Sequence, residues 1–320
     1  MTKKNLIYVA GHSGMVGSSL CKQLMDLSSG IVVCESRSLL DLTNQVKLEA
    51  FFENAEISSV YMMAGLVGGI KANNSFPAEF LYQNMIMNAN LIHAAYKFGV
   101  KRLLILGSAC MYPVDANQPV RESSLMTGPV EATNEGYAIA KIAAVKMAEM
   151  YRRQYNFDVR ILIPTNMYGP GDHYDPENCH VIPALLRKFH EAKLNHQNAI
   201  EIWGSGKPLR DFLFVDDFAR LCIKIMDLDQ SRYQDLIGVE PYLNVGGSGE
   251  VSIRDLSHLV ANIVGYQGAI VFDSTKPDGA ARKVLCSEKL SNMGWNPETT
   301  LSEGLKLAYQ DFLRVYEVRK

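Results

Sequence analysis

A tyrosine and a lysine form the first pair in this sequence that could carry out chemistry. Tyr137 and Lys141 lie in a segment with helical periodicity, so both side chains fall on one face of a helix, about one turn apart. An ammonium group beside a phenol favours the phenolate and lowers a pKa that starts near ~10. A phenol tuned in this way can exchange a proton with a carbonyl oxygen while hydride moves at the carbonyl carbon. Ser108 follows an apolar run and offers a hydroxyl that can hold the same oxygen, so the pattern indicates carbonyl reduction.

Three glycines near the N-terminus indicate where a dinucleotide would bind. Gly11, Gly14 and Gly17 follow the first apolar run and have the spacing GxxGxxG. In such a loop the first glycine permits a tight turn, the second lets the backbone approach a pyrophosphate, and the third lets the helix pack on the sheet. The free N–H groups at the helix N-terminus then face the phosphates. The loop therefore predicts a nicotinamide dinucleotide site, with an ordinary glycine-rich turn as the alternative.

The end of the second predicted strand carries two residues that bear on the choice of cofactor. Glu35 suits the ribose 2'-hydroxyl of NAD, whereas Arg37 suits the 2'-phosphate of NADP, which it can pair bidentately. Spacing does not decide between the two residues, and either side chain could be a solvated surface charge.

Alternating strands and helices must position these residues. Apolar runs predict strands at 6–10, 31–34, 58–63, 102–106 and 159–163. Helical periodicity predicts helices at 15–27, 46–53, 79–98 and 137–155. This alternation is typical of a parallel sheet with helices on both faces. The predicted fold class is α/β, a Rossmann-type doubly wound parallel sheet with a smaller C-terminal α/β substrate domain.

The pattern changes after Pro164, where prolines become frequent and loops lengthen. We therefore predict an NADP-binding domain at 1–165 and a mainly substrate-binding domain at 166–320, with the chain returning to the first near 211–235. A strand at 212–215 and a helix at 217–228 are expected to rejoin the main sheet. Segments 243–245, 253–264 and 270–272 are expected to form a smaller α/β unit.

The composition excludes several other classes of protein. The chain has 320 residues, of which 48% are hydrophobic and 21% charged, as in a soluble globular protein. Its formal charge of -2 lacks the positive excess expected of a nucleic-acid-binding protein. No apolar run approaches the ~20 residues of a membrane span, and the first run is too short for a signal peptide. The six cysteines are scattered without a CxxC pair, so we expect free thiols in the cytoplasm and no metal site.

Taken together, the motifs resemble the extended short-chain dehydrogenase/reductase family, and within it the branch of the GDP-L-fucose synthases. The resemblance covers nearly the whole chain. The segments that carry it are AGHSGMVGS (10–18), VGGIKANN (67–74), GSACMYP (107–113), YAIAKIA (137–143), PTNMYGPGD (164–172), HVIPALLRKFHEA (180–192), WGSGKPLRDFLFVDD (203–217) and KPDGAARK (276–283).

The resemblance implies catalytic roles for five residues. Ser108, Tyr137 and Lys141 would form the reductase triad, and Cys110 and His180 would carry out epimerisation. Inverting a carbon near a 4-keto group needs a base on one face and an acid on the other, and the pKa values of Cys and His can be poised near neutrality. Judged alone, Cys110 would be a small buried hydrophobe and His180 a polar residue at a helix start.

The resemblance also implies which residues bind the ligands. Those implied for NADP(H) are Gly11, His12, Ser13, Gly14, Met15, Val16, Gly17, Arg37, Leu106, Gly107, Lys141, Pro164, Asn166, Met167 and His180. Those implied for a GDP-sugar are Lys188, Trp203, Arg210 and Asp278, with Asn73 and Asn74 shaping the substrate loop. Bacterial members often have Arg where Ser13 stands, and many have a basic residue where Glu35 stands. Animal members have serine at the first of these positions and use NADP, so NADP(H) is the expected cofactor.

The activity implied is epimerisation of GDP-4-keto-6-deoxy-D-mannose at C3 and C5, followed by reduction of the 4-keto group with NADPH to give GDP-L-fucose. The nearest alternative is an epimerase/reductase or C4-reductase of the same fold acting on a related GDP-keto sugar, in a colitose or 6-deoxy-heptose pathway. A nucleotide-sensing protein would lack Tyr137 or Lys141, and a UDP-sugar 4-epimerase would lack the HVIPALLRKFHEA pattern. The family further implies a homodimer through helices 79–98 and 137–155.

Overall fold

Helices separate the first five strands of the described chain, whereas the fifth strand leads directly into the sixth and the seventh leads directly into the eighth. The computed structural model describes residues 5–28, 30–175, 179–276 and 278–318. The strands are β1 (Leu6–Ala10), β2 (Ile31–Val33), β3 (Ile57–Met62), β4 (Arg102–Leu106), β5 (Val159–Pro164), β6 (Asn166–Tyr168), β7 (Ala199–Trp203), β8 (Leu209–Phe214), β9 (Leu243–Val245), β10 (Glu250–Ser252), β11 (Ala269–Asp273) and β12 (Arg282–Lys283). The helices are α1 (Met15–Asp26), α2 (Gln45–Asn54), α3 (Ile70–Ser75), α4 (Pro77–Lys97), α5 (Glu135–Tyr155), α6 (Val181–Leu194), α7 (Val215–Asp227), α8 (Gln230–Ile237), α9 (Ile253–Val264), α10 (Glu288–Asn292) and α11 (Leu301–Val318).

Parallel strands form the central sheet, in the order β2-β1-β3-β4-β5-β9. Its strands are apolar at successive positions because both faces of the sheet are buried. In β1, Tyr8 and Ala10 point into one core, while Ile7 and Val9 point into the other. Helices α4 and α5 pack on the first face, and α1 and α7 pack on the second. The predicted Rossmann-type, doubly wound parallel sheet is therefore confirmed.

A fully buried arginine joins the sheet to α7. Arg160 lies in β5 and binds both carboxylate oxygens of Asp158, at 3.0 and 2.8 Å. It also donates to the carbonyl oxygens of Ile225 and Leu228 at the end of α7, and its guanidinium lies 5.1 Å from the centroid of the Tyr233 ring. A buried charge needs such partners to offset its desolvation, so this network fixes the end of α7 against the sheet.

The predicted return of strand 212–215 to the main sheet is wrong. Strand β8 pairs instead with β6, β10 and β12 in a separate four-stranded sheet. Phe212 and Phe214 face a third core, formed with α6, α9 and α11, whereas Leu213 faces α7. The helix that follows does pack against α1 on the main sheet. Only the helix of the predicted pair therefore rejoins the first half of the chain.

The prediction for 243–245 is also wrong, because β9 is the sixth strand of the main sheet and pairs with β5. Its residues are all buried, so its apolar character alone could not show which sheet it joins. Strand β11 pairs with β7 in a small parallel sheet, while α9 packs on α6. The division of the chain into domains near residue 165 stays a prediction.

The two helices predicted at 79–98 and 137–155 are present with slightly earlier starts. Helix α4 begins at Pro77, a residue well suited to the first turn because it needs no hydrogen-bond partner for its nitrogen. Helix α5 begins at Glu135 and ends at Asn156 in the left-handed conformation. Across the described part of the chain, the helices lack the combined length and apolarity needed to traverse a bilayer.

Candidate active site

The carboxyl edge of the central sheet collects most of the predicted site. Strands β1, β4 and β5 are parallel, so the segments that follow them emerge at the same edge. These segments are the glycine loop, the turn that begins at Ser108, and the stretch from Thr165 onward. Ligands of open parallel sheets bind at this edge.

The reductase triad lies where β4 meets the start of α5. Lys141 is only 4% exposed, and its Nζ donates to the carbonyl oxygen of Leu106 at 3.0 Å and lies 5.8 Å from the centroid of the Tyr137 ring. Gly107 is required between Leu106 and Ser108, because a Cβ there would lie 2.9 Å from Ile163. The structure thus brings the three predicted residues together.

The expected lowering of the Tyr137 pKa is wrong for this arrangement. Burial raises the pKa of the phenol, and the hydrogen bond with Ser108 opposes this rise only in part. Burial also lowers the pKa of Lys141 to about 8. Spacing along a helix gives the proximity of the two groups but not their desolvation, which disfavours both charged forms. Tyr137 is therefore a protonated phenol, suited to donate a proton.

Cys110 lies on the same turn as Ser108. Ser108 caps a 3-10 turn at Ala109–Met111, and its Oγ accepts from the thiol of Cys110 at 3.2 Å. Burial raises the pKa of Cys110, whereas the charge of Lys283, the Ser108 hydrogen bond and the charge of Lys141 lower it. Burial is the largest of these effects, so the pKa of the Cys110 thiol lies above its ordinary value, and the two nearby cations limit that rise.

His180 caps the N-terminus of α6 and is exposed. The surrounding protein lowers the pKa of its imidazole through desolvation. An exposed imidazole can exchange protons with water directly, in contrast to the enclosed Cys110 thiol. The two predicted epimerisation residues therefore differ in their access to solvent.

The glycine loop leaves room beside Gly14, where a pyrophosphate would bind. A Cβ at Gly11 would lie 2.5 Å from the backbone of Ala64, and one at Gly17 would overlap the carbonyl of Gly11. At Gly14 the nearest atom, the Gly11 oxygen, would be 3.5 Å away. Gly14 also begins α1 without a side-chain cap or an acidic residue in the first turn. Free N–H groups and unoccupied volume together fit a bound diphosphate.

The other predicted residues of this loop surround that space. Ser13 and Gly14 are exposed, and Met15 starts α1, while Val16 packs into the core beneath. The Nδ1 atom of His12 is buried without a hydrogen-bond partner in the described structure. An orphaned ring nitrogen beside the cradle is a further group that a ligand could satisfy.

Arg37 lies beyond β2 and remains largely accessible. Its side chain is 67% exposed, its Nη2 donates to Gln83 of α4 at 3.2 Å, and its Nε lies 3.8 Å from Asp41. The hydroxyls of Ser36 and Ser38 hydrogen-bond each other at 2.9 Å beside it. Glu35 is half-buried. The guanidinium is thus oriented by the Gln83 amide and by the Asp41 carboxylate, and its exposed N–H groups can donate to a phosphate.

Pro164, Asn166 and Met167 lie at the end of β5 and in β6, at the same sheet edge. The Asn166 amide donates to the carbonyl oxygen of Asp211 at 3.3 Å, and the Asp211 carboxylate accepts from the backbone N–H of Gly247 at 2.6 Å. Strand β6 also pairs with β8, so Asn166 is held in the second sheet by this pairing and by its bond to Asp211.

The four residues predicted for the GDP-sugar gather around the loop after β7. Trp203 is 70% exposed, with the Lys276 ammonium 5.6 Å from its ring centroid. Asp278 accepts from the Ser205 N–H at 2.8 Å and hydroxyl at 2.7 Å. Lys188 donates to the carbonyl of Glu201, next to this loop.

Arg210 is held in place by carbonyl oxygens. Its Nη1 donates to Leu209 at 2.8 Å and to Ala280 at 2.7 Å. Burial lowers the pKa of the guanidinium, and the charges of Glu131 and Asp278 oppose that change. An arginine positioned in this way retains free N–H groups for an anion.

The predicted substrate loop is held by Asn73. This residue is buried in α3, and its amide donates to the carbonyls of Gly68 at 2.7 Å and Gly69 at 3.1 Å. Asn74 is exposed next to it. The bonds of Asn73 constrain the loop that leads from β3 to α3.

Sequence reasoning assigned no role to Lys283 or Lys276. Both lie in the KPDGAARK segment, which was part of the resemblance, so the signal was present. Lys283 lies in β12, which pairs with β8, and its charge acts on Cys110 from this distant part of the chain. Among the described residues, no group of three or more histidine, cysteine or acidic side chains is arranged to hold a metal ion.

Comparison with known proteins places this site in a family context. Residues 7–237 match the model of the NAD dependent epimerase/dehydratase family. The chain is 46% identical over 313 residues to the GDP-L-fucose synthase of Escherichia coli (strain K12), covering 97% of each chain. A GDP-L-fucose synthetase from Naegleria fowleri, solved with NADP, is 28% identical with a TM-score of 0.88, covering 100% of this chain and 98% of that one. The GDP-mannoheptose C4 reductase of Campylobacter jejuni, solved with NADP, is 33% identical with a TM-score of 0.88, covering 98% and 99%.

Proposed function

Because the chain belongs to the NAD dependent epimerase/dehydratase family, we propose that it converts GDP-4-keto-6-deoxy-D-mannose to GDP-L-fucose. The reaction comprises epimerisation at C3 and C5 and then reduction of the 4-keto group. The resemblance to the extended short-chain dehydrogenase/reductases is confirmed by the family match and by the E. coli relative. The observation that carries the proposal is the contact between Cys110 and Ser108, which places a thiol beside the group of residues suited to reduction.

The cofactor proposed is NADP(H), which supplies the hydride when bound. The open space at Gly14 and the free N–H groups of α1 would hold the pyrophosphate. Arg37 would hold the 2'-phosphate, supported by the accessible guanidinium and by the NADP in the two related structures. Leu106, Gly107, Pro164, Asn166 and Met167 would line the nicotinamide end at the sheet edge.

This assignment predicts that Arg37→Ala lowers the preference for NADPH over NADH by about tenfold or more, since a charge-assisted bond to phosphate is lost. The measurement is kcat/KM for each cofactor. The control is Lys22→Ala, which removes a cation from α1, away from Arg37. An unchanged preference in Arg37→Ala would place the phosphate elsewhere.

In epimerisation, Cys110 removes a proton from C3 or C5, the two carbons bonded to the activated C4 carbonyl. His180 delivers a proton to the opposite face. Ser108 and Tyr137 hydrogen-bond the 4-oxygen, which carries negative charge while the proton is absent. The cations Lys283 and Lys141 favour the thiolate that this step needs.

In reduction, Tyr137 donates a proton to the 4-oxygen. Its raised pKa keeps the phenol protonated until the oxygen becomes strongly basic. Lys141 stabilises the phenol as it gives up its proton, and the Leu106 carbonyl fixes the ammonium in position. The same carbonyl group of the substrate thus serves both reactions in one pocket.

The GDP moiety is proposed to bind between α6 and the segment 203–210. Lys188 and Arg210 would contact the diphosphate, Trp203 would pack against the nucleotide, and Asp278 would accept hydrogen bonds from it. The nearby Lys276 adds a further cation to this region.

The protein is further proposed to be a homodimer through α4 and α5. These helices pack on each other and leave apolar side chains exposed on their outer side: Phe76 at the start of α4, Tyr82 and Met85 within it, and Ile139 in α5. Exposed apolar side chains on two neighbouring helices support this interface.

The test is incubation with GDP-4-keto-6-deoxy-D-mannose and NADPH in D2O, with the product identified by NMR. GDP-L-fucose carrying deuterium at C3 and C5 is the expected result. Cys110→Ser, which replaces the thiol by a far weaker acid, should suppress deuterium uptake while slow hydride transfer gives a GDP-6-deoxy-D-hexose. His180→Gln should also impair exchange.

The second candidate is reduction alone of a related GDP-keto sugar, favoured by the likeness to the C. jejuni C4 reductase. Under this alternative, wild-type protein would reduce the ketone without deuterium uptake at C3 or C5. Exchange at wild-type rates in both Cys110→Ser and His180→Gln would instead show that these two residues are not the epimerisation pair.

A further inference from the structure

Two cysteine side chains contact each other where α1 packs on the end of β2. Cys21 lies within α1 and is only 8% exposed, while Cys34 directly follows β2 and is half-buried. Their Sγ atoms are 3.5 Å apart. Both side chains pack in the core that α1 and α7 form on the second face of the sheet, so the contact belongs to the packed interior rather than to a surface loop.

Helix α1 holds Cys21 in place from both sides. Two residues before it, the Ser19 hydroxyl donates to the carboxylate of Asp216 at 2.5 Å. Two residues after it, the Gln23 amide donates to the carbonyl oxygen of Asp216 at 3.0 Å. Cys34, in contrast, lies just outside β2 in a stretch without regular secondary structure. A disulfide needs sulfur atoms about 2.05 Å apart, so closing the gap would mainly displace Cys34 and the residues after it.

The residues after Cys34 are those that face the choice of cofactor. Glu35 follows directly, and Arg37 is three positions along the chain. The Arg37 guanidinium is oriented by Gln83 at 3.2 Å and by Asp41 at 3.8 Å. Hydrogen bonds weaken steeply when donor and acceptor are misaligned. A backbone drawn toward α1 at Cys34 would therefore misalign Arg37 with a bound phosphate.

We propose that Cys21 and Cys34 form a reversible disulfide in the presence of a low-molecular-weight disulfide, and that this bond weakens the binding of NADPH. The effect on binding rests on the proposed cofactor and on the role of Arg37, whereas the formation of the bond does not. The pair is thus a modification site through which thiol oxidation acts on the cofactor site.

The bond forms in two thiol–disulfide exchange steps. With glutathione disulfide as the oxidant, the Cys34 thiolate attacks one sulfur of the reagent, and the S–S bond of the reagent breaks to release one glutathione thiolate. The Cys21 thiolate then attacks the Cys34 sulfur and displaces the second glutathione. The two cysteines are oxidised, the reagent is reduced to two glutathiones, and these take up the two protons that the cysteines lose.

The order of these steps follows from access and acidity. Cys34 is the more exposed of the two thiols. Burial raises the pKa of both, but the hydrogen bond with Cys21 partly offsets this rise at Cys34. Because the thiolate is the attacking species, Cys34 reacts first and Cys21 resolves the mixed disulfide.

The first test detects the bond without any cofactor. The full chain is incubated with glutathione disulfide and digested with trypsin under non-reducing conditions. Trypsin cleaves after Lys22, between the two cysteines, so a Cys21–Cys34 disulfide joins two peptides that a reductant separates. We expect this linked pair in the wild-type digest. Glutathione adducts without the linked pair would overturn the inference.

The variant Cys21→Ala tests the order of the steps. It removes the resolving thiol and keeps a small apolar side chain in the core. Glutathione should therefore remain on Cys34 as a stable adduct, with no linked peptide. Absence of the adduct from Cys34 in this variant would contradict the proposed first step.

The second test measures the Kd of NADPH for reduced and oxidised wild-type protein by fluorescence titration. Oxidation should raise the Kd about tenfold, as expected when a charge-assisted bond to phosphate is weakened, and dithiothreitol should restore it. Cys34→Ser is the matched control, since it keeps every other thiol, including Cys110, and its Kd should not respond to glutathione disulfide. A linked wild-type protein with an unchanged Kd, or an equal loss of affinity in Cys34→Ser, would overturn the effect on binding.

NADH separates this inference from the function on which it rests. NADH lacks the 2'-phosphate, so it should bind equally well before and after oxidation. If the reduced protein does not prefer NADPH to NADH, the proposed cofactor fails, and the linked peptide still decides whether the disulfide forms. If the reduced protein prefers NADPH and oxidation leaves that preference unchanged, the inference alone fails.

Discussion

At the scale of single residues, burial determines the chemistry more than sequence spacing does. Tyr137 and Lys141 stand one helical turn apart, as the sequence indicates, yet burial raises the pKa of the first and lowers that of the second. Both shifts favour the neutral forms. The site therefore begins with a phenol that holds its proton and a lysine that titrates near neutrality.

Replacing Tyr137 by phenylalanine should abolish reduction while leaving cofactor binding nearly intact. The change deletes the proton donor but keeps the ring, so we expect kcat to fall at least ~100-fold, the usual contribution of a positioned acid. Turnover is followed by NADPH oxidation and binding by NADPH fluorescence. Normal turnover in Tyr137→Phe would remove this residue from the mechanism.

The pKa of Lys141 predicts how reduction depends on pH. Lysine is charged below its pKa, and burial lowers this pKa to about 8. The rate of reduction should therefore be full below that value and fall as the pH rises through it, by about tenfold for each further pH unit. The measurement is kcat against pH.

The matched variant for this prediction is Lys141→Arg. The guanidinium stays charged at high pH, so the variant should be slower but should not show the fall. A wild-type profile that stays flat well above pH 8 would mean that the Lys141 charge is not needed.

At the scale of elements, two glycines of the loop are required by packing within the protein, whereas the third is required only if a ligand binds. Gly11 and Gly17 are fixed by contacts within the protein, whereas a Cβ at Gly14 would make only an ordinary van der Waals contact, 3.5 Å from the Gly11 oxygen. The two helices that flank the chemistry are similarly constrained, since a Cβ at Gly136 would lie 2.5 Å from the Pro77 oxygen of α4. The first turns of α4 and α5 are thereby held close together.

A pair of alanine variants tests this distinction. Gly17→Ala would overlap the Gly11 carbonyl and should destabilise the fold by about 1–3 kcal/mol, as overpacking does. At position 14 the backbone is extended, a conformation that alanine readily adopts, and there is space for the methyl group. Gly14→Ala should keep its stability but weaken NADPH binding by about tenfold, since the backbone can no longer approach the pyrophosphate closely.

Chemical denaturation and NADPH titration of both variants provide the measurements. Equal losses of stability in Gly14→Ala and Gly17→Ala would contradict the distinction. Undiminished NADPH affinity in a stable Gly14→Ala would argue against the pyrophosphate site.

The elements also show how far the sequence alone could lead. Strands β1 to β5 were predictable because each is a short, largely apolar run between helical segments. The apolar run at 212–215 likewise predicts a strand but not its sheet, because pairing is decided by distant segments. The influence of Lys283 on Cys110 was hidden for the same reason, since Lys283 lies in β12, a distant part of the chain.

At the scale of the whole molecule, α5 faces two ways. Tyr137 is directed into the site, while Ile139, two positions later, is 42% exposed on the outer side. A second copy packed on this side would lie close to the first turn of the helix that carries the proton donor. The proposed dimer interface would therefore stabilise the first turn of α5 on the side away from the site.

The variant Ile139→Glu places a charge on this outer side and should convert the dimer to a monomer, because an unpaired charge in an apolar interface is costly. Light scattering across a concentration series measures the state. Val239→Glu is the control, since Val239 is also apolar and is 95% exposed on a loop elsewhere. A monomeric wild-type protein, or a dimer that tolerates Ile139→Glu, would contradict the proposed interface.

The arrangement of the carboxyl edge has a consequence for how such an enzyme could diverge. The glycine loop and the triad come from the first half of the chain, whereas Lys188, Trp203, Arg210 and Asp278 come from 188–278. Under the proposed roles, inheritance of the reducing residues is therefore separable from inheritance of sugar preference. Mutations within 188–278 can then change which nucleotide sugar binds, while the first half of the chain retains the residues for reduction. A chimaera that carries residues 188–278 from a heptose reductase would test directly whether substrate preference changes in this way.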